Sequence, residues 1–199
     1  MVKALYSLMV AGMLLFTSCA TTTLSGSWKD PAYQGTARMT VVMMVSQKAY
    51  VRNYLEDEFV AALKAHGNDA IPSYPLIPIE QLPDKDAVAA KIKSSGADSI
   101  LVSRLVDRRT VETYVPGQTY VYPRYYGGWG SYYGTIVTGP GYTFESEYVY
   151  VETNLYDTQT EKLIWTAKSE TEMAASDQQV MKAFVDVVIN RLTADKVIR

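Results

Sequence analysis

The chain of 199 residues holds one cysteine, Cys19, and one histidine, His66. A lone thiol closes no intramolecular disulfide, so stability must come from a packed core. A single imidazole argues against a zinc site and leaves Ser-His-Asp chemistry with one base. That base falls in the last turn of an expected helix, where it suits the negative end of the dipole and reads as a cap. No phosphate loop, G-x-S-x-G elbow or H-E-x-x-H pair occurs. The acidic clusters Glu56-Asp57-Glu58 and Glu145/Glu147 lack the glycine and alternating oxygen ligands of a calcium loop, so they read as solvated charge. Paired carboxylates for glycoside hydrolysis need only proximity, and nothing singles out a pair. A net charge of −2 offers no basic field for nucleic acid. No cofactor and no metal are expected.

The chain also lacks an apolar run long enough to span a bilayer, but it begins with a shorter one. Lys3 supplies a positive charge and residues 4–16 an apolar stretch of signal-peptide length. The stretch ends in Phe16-Thr17-Ser18-Cys19-Ala20, which resembles the lipobox of bacterial lipoproteins, with Phe16 in place of the usual Leu. The resemblance implies a signal peptide over residues 1–18 and a mature chain starting at a Cys19 that carries diacylglycerol and an N-acyl chain such as palmitate. Two or three acyl chains give stable anchoring. An ordinary signal peptide with an incidental Cys19 is the alternative. By the family's sorting rule, Ala20 rather than Asp after the cysteine points to the outer membrane, with the protein facing the periplasm. Of 19 basic residues Lys3 goes with the signal, leaving 18 against 21 acidic, a net charge of −3.

Residues 19–37 are rich in Thr, Ser and Gly without a period and read as a lipidated tether, with Trp28 expected to dock on the domain surface. The domain proper is then 38–199. Residues 39–45 (MTVVMMV) fit a strand buried on both faces, and 51–66 follow as a helix with Val51, Leu55, Phe59 and Leu63 inward and Arg52, Glu56, Asp57 and Lys64 elsewhere on its wheel. Gly67 is its natural stop. A strand near 69–74, a helix capped by Asp84 with Val88 and Ile92 inward, a stop at Gly96 and a central strand over 99–106 complete a β-α-β-α-β order, which predicts parallel pairing. Residues 147–157 alternate, and 162–171 return after the polar turn Asp157-Thr158-Gln159-Thr160, a hairpin that should bury Trp165. Ser176 and Gln179 form a capping box opening a helix with Val180, Phe184, Val187, Val188 and Leu192 inward. The expected class is α/β (α+β): one domain with a mixed sheet of about five strands and about three helices.

Taken with the lipobox, the segments Ser27-Trp28-Lys29-Asp30-Pro31, Gly96-Ala97-Asp98, Asn154-Leu155-Tyr156-Asp157 and Ile164-Trp165 resemble a proteobacterial lipoprotein family with a domain of unknown function. In layout that family is similar to the periplasmic α/β domain of the curli-secretion lipoprotein and the N-terminal domain of the Tol-system propeller protein. The resemblance implies a non-enzymatic binding or assembly role in the cell envelope and carries over no catalytic residue. Alternatives are an enzyme acting on envelope polymers and a subunit of a membrane-inserting oligomer. Against the latter, Gly and Pro between Arg109 and Glu147 interrupt the roughly 10-residue alternation of a membrane strand. Arg104, Arg108 and Arg109 form a basic cluster near the end of the central strand, where ligands of α/β sheets gather; an anionic partner is one reading, and pairing with Asp107 and Glu112 is the more ordinary one.

Residues 113–144 interrupt the domain with eight tyrosines and Trp129 among Gly and Pro. Aromatic rings with polar handles on a bendable chain are the composition of recognition loops. The expected contact surface is Tyr120, Tyr122, Tyr125, Tyr126, Trp129, Tyr132 and Tyr133, meeting another envelope protein or a second copy of this chain. Rings folded back on the sheet are the alternative. Deleting residues 120–138 should leave the melting temperature within a few degrees and abolish partner pull-down; an unfolded domain would make those aromatics core. Separately, Cys19→Ser should leave unprocessed precursor or protein no longer extracted with membranes, and unchanged membrane fractionation would contradict the anchor.

Overall fold

The computed structural model describes residues 22–117, 119–121, 136–138 and 140–199, with backbone alone for 119–121 and 136–138. The elements, in chain order, are β1 (Thr22–Lys29), β2 (Met39–Val45), α1 (Ala49–Ala65), β3 (Asp69–Pro72), a 3-10 turn (Ile79–Gln81), α2 (Lys85–Ser94), β4 (Ser99–Val115), β5 (Thr119–Val121), β6 (Ile136–Thr138), β7 (Tyr142–Asp157), β8 (Leu163–Glu172) and α3 (Asp177–Ala194). Six strands form one sheet in the order β1-β8-β7-β4-β2-β3, one more than expected. The class is α/β with a mixed sheet.

The alternation of β2 explains the layering. Val42 and Met44 face a core shared with Leu55, Phe59 and Leu63 of α1 and Phe184, Val188 and Leu192 of α3. Val41 and Met43 face the other way, onto Ile77 and Ile92 of α2. A strand between two helical layers must be apolar on both sides. β3 and β4 flank β2 in parallel. β7, β8 and β1 continue antiparallel. Ser103 and Thr153 hydroxyls lie 3.0 Å apart and Thr158 N donates to the Asp98 carbonyl at 3.1 Å, so numbers rise on β4 as they fall on β7.

Local signals stop and start the elements as read from sequence. Gly67 and Gly96 take φ of +77° and +76° after α1 and α2, where a Cβ would be strained. Asp84 accepts from Ala87 N at 3.0 Å, and the Ser176–Gln179 box closes the start of α3. Trp165 is fully buried and its indole donates to Asp195 at 2.8 Å. Thr158, in the β7–β8 turn, donates its hydroxyl to the Ala97 carbonyl at 2.6 Å. The Gly96-Ala97-Asp98 segment and the end of the Asn154–Asp157 strand are thereby joined. In the same turn, hydrogen bonds from Thr160 hold the Asp157 carboxyl below its ordinary range.

Three expectations are corrected. Residues 22–29, read as part of a free tether, form edge strand β1 paired with β8, and Trp28 is half exposed on it rather than docked. Pairing gives the polar Thr/Ser/Gly run the backbone partners it lacks as a loose chain. Arg104 pairs with Glu152 at 3.7 Å, a cross-strand partner distant in sequence. The third concerns Glu56 and Arg52, which are fully buried instead of solvated. Glu56 accepts five hydrogen bonds: from Met44 N (3.0 Å), Arg52 Nε (3.0 Å), Ser73 Oγ (2.8 Å), Ser73 N (2.6 Å) and Tyr74 N (2.8 Å). Arg52 also donates to Ser73 Oγ at 2.9 Å and the Ile77 carbonyl at 2.8 Å. Burying this pair is tolerable only because nearly every lone pair and proton is used.

Residues Arg109–Glu147, including the ends of β4 and β7, make a second compact unit. β5 and β6 pair within it, Thr119 opposite Thr138. The expected insertion over 113–144 therefore carries strand at both ends. Gly141 lies against the Tyr114 ring, which any side chain at 141 would strike. Tyr142 and Phe144 sit side by side, ring centroids 6.3 Å apart, both exposed.

Glu56→Gln should cost about 3–5 kcal/mol of unfolding free energy because it leaves Arg52 buried without its counterion. The exposed neighbour change Asp57→Asn should cost under about 0.5 kcal/mol. Urea midpoints compare them, and equal small losses would contradict the buried hub.

Candidate functional site

Ligands of open α/β sheets gather beyond the carboxyl ends of the parallel strands. Where β2 ends, Ser46, Gln47 and Lys48 turn into α1, and a groove of about 430 Å³ opens between the first turns of α1 and α3. Its floor is sheet: Leu105 of β4, Val149 and Val151 of β7, and Thr171 of β8. One wall is Val51 and Leu55 of α1; the other is Val180, Met181 and Phe184 of α3. Met44 and Met173 complete the apolar lining. Deeper in the same layer Phe59 and Phe184 meet edge to face at 5.5 Å, fixing the two helices against each other.

The interior and the rim differ. Leu55, Val180 and Phe184 are each 4% exposed, whereas Val45 is 44% and Leu105 48% exposed. The groove thus runs from buried core to open apolar lip. Its volume lies in the range of small-ligand sites, roughly 300–1,000 Å³. Three unbranched methionines give walls that adapt to ligand shape.

Charge at the mouth is uneven. Lys48 and Arg108 contribute two cations and Asp177 one carboxylate. No side chain caps the N-terminus of α1, and its first turn holds no acid. Ser46 would suit that task but accepts from Lys48 N at 3.1 Å. Unpaired N–H groups at a helix start carry about half a positive charge. α3, across the groove, is closed by its capping box and carries Asp177 in its first turn.

A second depression of about 260 Å³ lies beside α2, between Val88, Ile92 and Ile100 and the β7–β8 turn. At its edge the exposed Lys93 and Glu161 pair at 2.7 Å, holding the Glu161 carboxyl below its usual range.

Of the basic cluster read from the sequence, Arg108 lines the groove. Cys19, Tyr122, Tyr125, Tyr126, Trp129, Tyr132 and Tyr133 lie outside the described residues, and Tyr120 falls on β5 as backbone only. His66 Nδ1 sits 2.9 Å from the Ala62 carbonyl at the end of α1, a capping position. Among the described residues no three His, Cys, Asp or Glu side chains group as metal ligands would. The groove itself was missed because its walls come from segments more than a hundred residues apart. One local signal was available: Lys48 stands where Ser, Thr, Asp or Asn is preferred.

No protein-family model matches the chain, and no curated protein sequence does. Among solved structures, it is similar to the PelC dodecamer from Paraburkholderia phytofirmans, at 15% identity over 90% of this chain and 99% of that one, with a TM-score of 0.48. It is also similar to lipoprotein GNA1162 from Neisseria meningitidis, at 13% identity over 79% of this chain and 99% of that one, with a TM-score of 0.43. Identities this low and TM-scores under 0.5 carry no argument about what this chain does.

Proposed function

We propose that the chain is a membrane-anchored lipoprotein of the cell envelope with a non-enzymatic binding role, its ligand entering the groove beside Lys48. The observation that carries the reading is the groove: a largely apolar cavity at the carboxyl end of β2, with buried walls and an exposed lip. Burying apolar ligand surface there gains about 25 cal/mol per Å² before the costs of association. Anchoring comes from acyl chains on Cys19, placing the domain at the outer membrane and facing the periplasm. The aromatic set of Tyr120, Tyr122, Tyr125, Tyr126, Trp129, Tyr132 and Tyr133 is a separate contact surface, for another envelope protein or a second copy. Among the described residues no helix is long and apolar enough to cross a membrane.

A neutral apolar dye such as Nile red reads the groove directly. It should bind the full chain one to one with blue-shifted emission. Val149→Trp, which fills the floor, should weaken binding about tenfold or more, at least about 1.4 kcal/mol, with the melting temperature within a few degrees. Dye binding unaffected by Val149→Trp, or no binding to the unaltered chain, would overturn the assignment.

A further inference from the structure

The groove lies where the chain enters the domain. Thr171, near the end of β8, is part of its floor, and Met173 just beyond is part of its lining. Thr22, the first residue of β1, stands opposite Thr171 with the two hydroxyls 3.0 Å apart, so both side chains point to the groove's side of the sheet. From there β1 runs away from the groove, its register descending β8 to Lys29 opposite Trp165. Leu24, on the same face as Thr22, packs against the core shared with α1 and α3. Whatever precedes Thr22 therefore starts at the groove's border. Cys19, the only cysteine, is three residues upstream, at most about 11 Å of fully extended chain.

Resting on the groove and lipid-anchor readings above, we propose that the groove's occupant is one acyl chain of the protein's own Cys19. The lining suits a flexible aliphatic tail, because Met44, Met173 and Met181 follow its course by changing rotamers rather than backbone. A tether of three residues holds the tail at an effective concentration on the order of millimolar, so it outcompetes dilute free ligands without any new contact. Two acyl chains already give stable attachment, so a third is free to turn into the groove while the others stay in the bilayer. Docked in this way, the lipid ties the groove end of the sheet to the membrane surface.

The mature chain, residues 19–199, contains every described element and a single thiol, so Cys19 Sγ can be alkylated with either a dodecyl or an ethyl group. The dodecyl form should bind Nile red about tenfold or more weakly than the ethyl form. Its Met173 and Met181 methyl NMR signals should differ from those of the ethyl form, while the Met39 and Met43 signals, on the other face of the sheet, coincide. Val149→Trp, which fills the floor, should release the tail, so the dodecyl form of that variant should bind phosphatidylcholine vesicles about tenfold more tightly than the unaltered dodecyl form. Equal dye affinity of the dodecyl and ethyl forms, or equal vesicle binding with and without Val149→Trp, would overturn the tail assignment and leave the groove standing. So would methionine differences that fade on dilution, which put the tail in a second copy. An ethyl form that binds no dye would instead remove the groove reading itself. The dye and methyl comparisons need no substitution, so the proposal stays testable if Val149→Trp does not fold.

Discussion

The buried carboxylate of Glu56 is the constraint on which the site depends. One side chain takes hydrogen bonds from β2 at Met44, from α1 at Arg52 and from the turn after β3 at Ser73 and Tyr74. An uncompensated carboxylate in this position would be prohibitive, and its five donors plus the Arg52 charge make it tolerable. Because every donor has one workable direction, α1 is fixed in register and rotation against the end of β2. The start of α1 is one wall and the mouth of the groove, so the hub sets the site's geometry from one turn away.

A second set of contacts fixes the other wall. α3 is held at its far end by the Trp165–Asp195 hydrogen bond and by Lys29 on the Asp195 carbonyl at 3.0 Å, while Arg191 of the same helix orients the Asp195 carboxylate at 3.0 Å. Beyond it, Val197 and Ile198 are buried, and Asn68 accepts from Arg199 N at 3.0 Å while donating to the Ala37 carbonyl. The short segments that carry the family resemblance, around Gly96-Ala97-Asp98, Asp157 and Trp165, all belong to this framework. They hold the strands and helices in place and line neither the groove's interior nor its mouth.

The sequence was most legible where a residue's role is local. The two-sided apolar run of β2, the Asp84 cap, the Ser176–Gln179 box and the Gly67 and Gly96 stops all act within a few residues, and the structure has each of them. What depends on distant partners was not legible. Arg52 and Glu56 have the i,i+4 spacing of an ordinary surface pair, and only the turn after β3 and the 3-10 approach, brought over them by the fold, make them core. β1 reads as polar linker because an edge strand needs no apolar alternation on its open face. β4 and β7 extend past the apolar stretches that announced them, into residues exposed on both sides such as Val111 and Tyr114.

The proposed binding role rests on an apolar cavity at the end of a parallel strand. The methionines divide by face: Met44, Met173 and Met181 line the groove, whereas Met39 and Met43 pack on the α2 side of the sheet. The most direct test is therefore a methyl-resolved NMR titration of methionine-labelled protein with Nile red. The account predicts that the Met44, Met173 and Met181 methyls shift together and saturably while those of Met39 and Met43 stay in place. Shifts at Met39 and Met43 with the other three unmoved would contradict it.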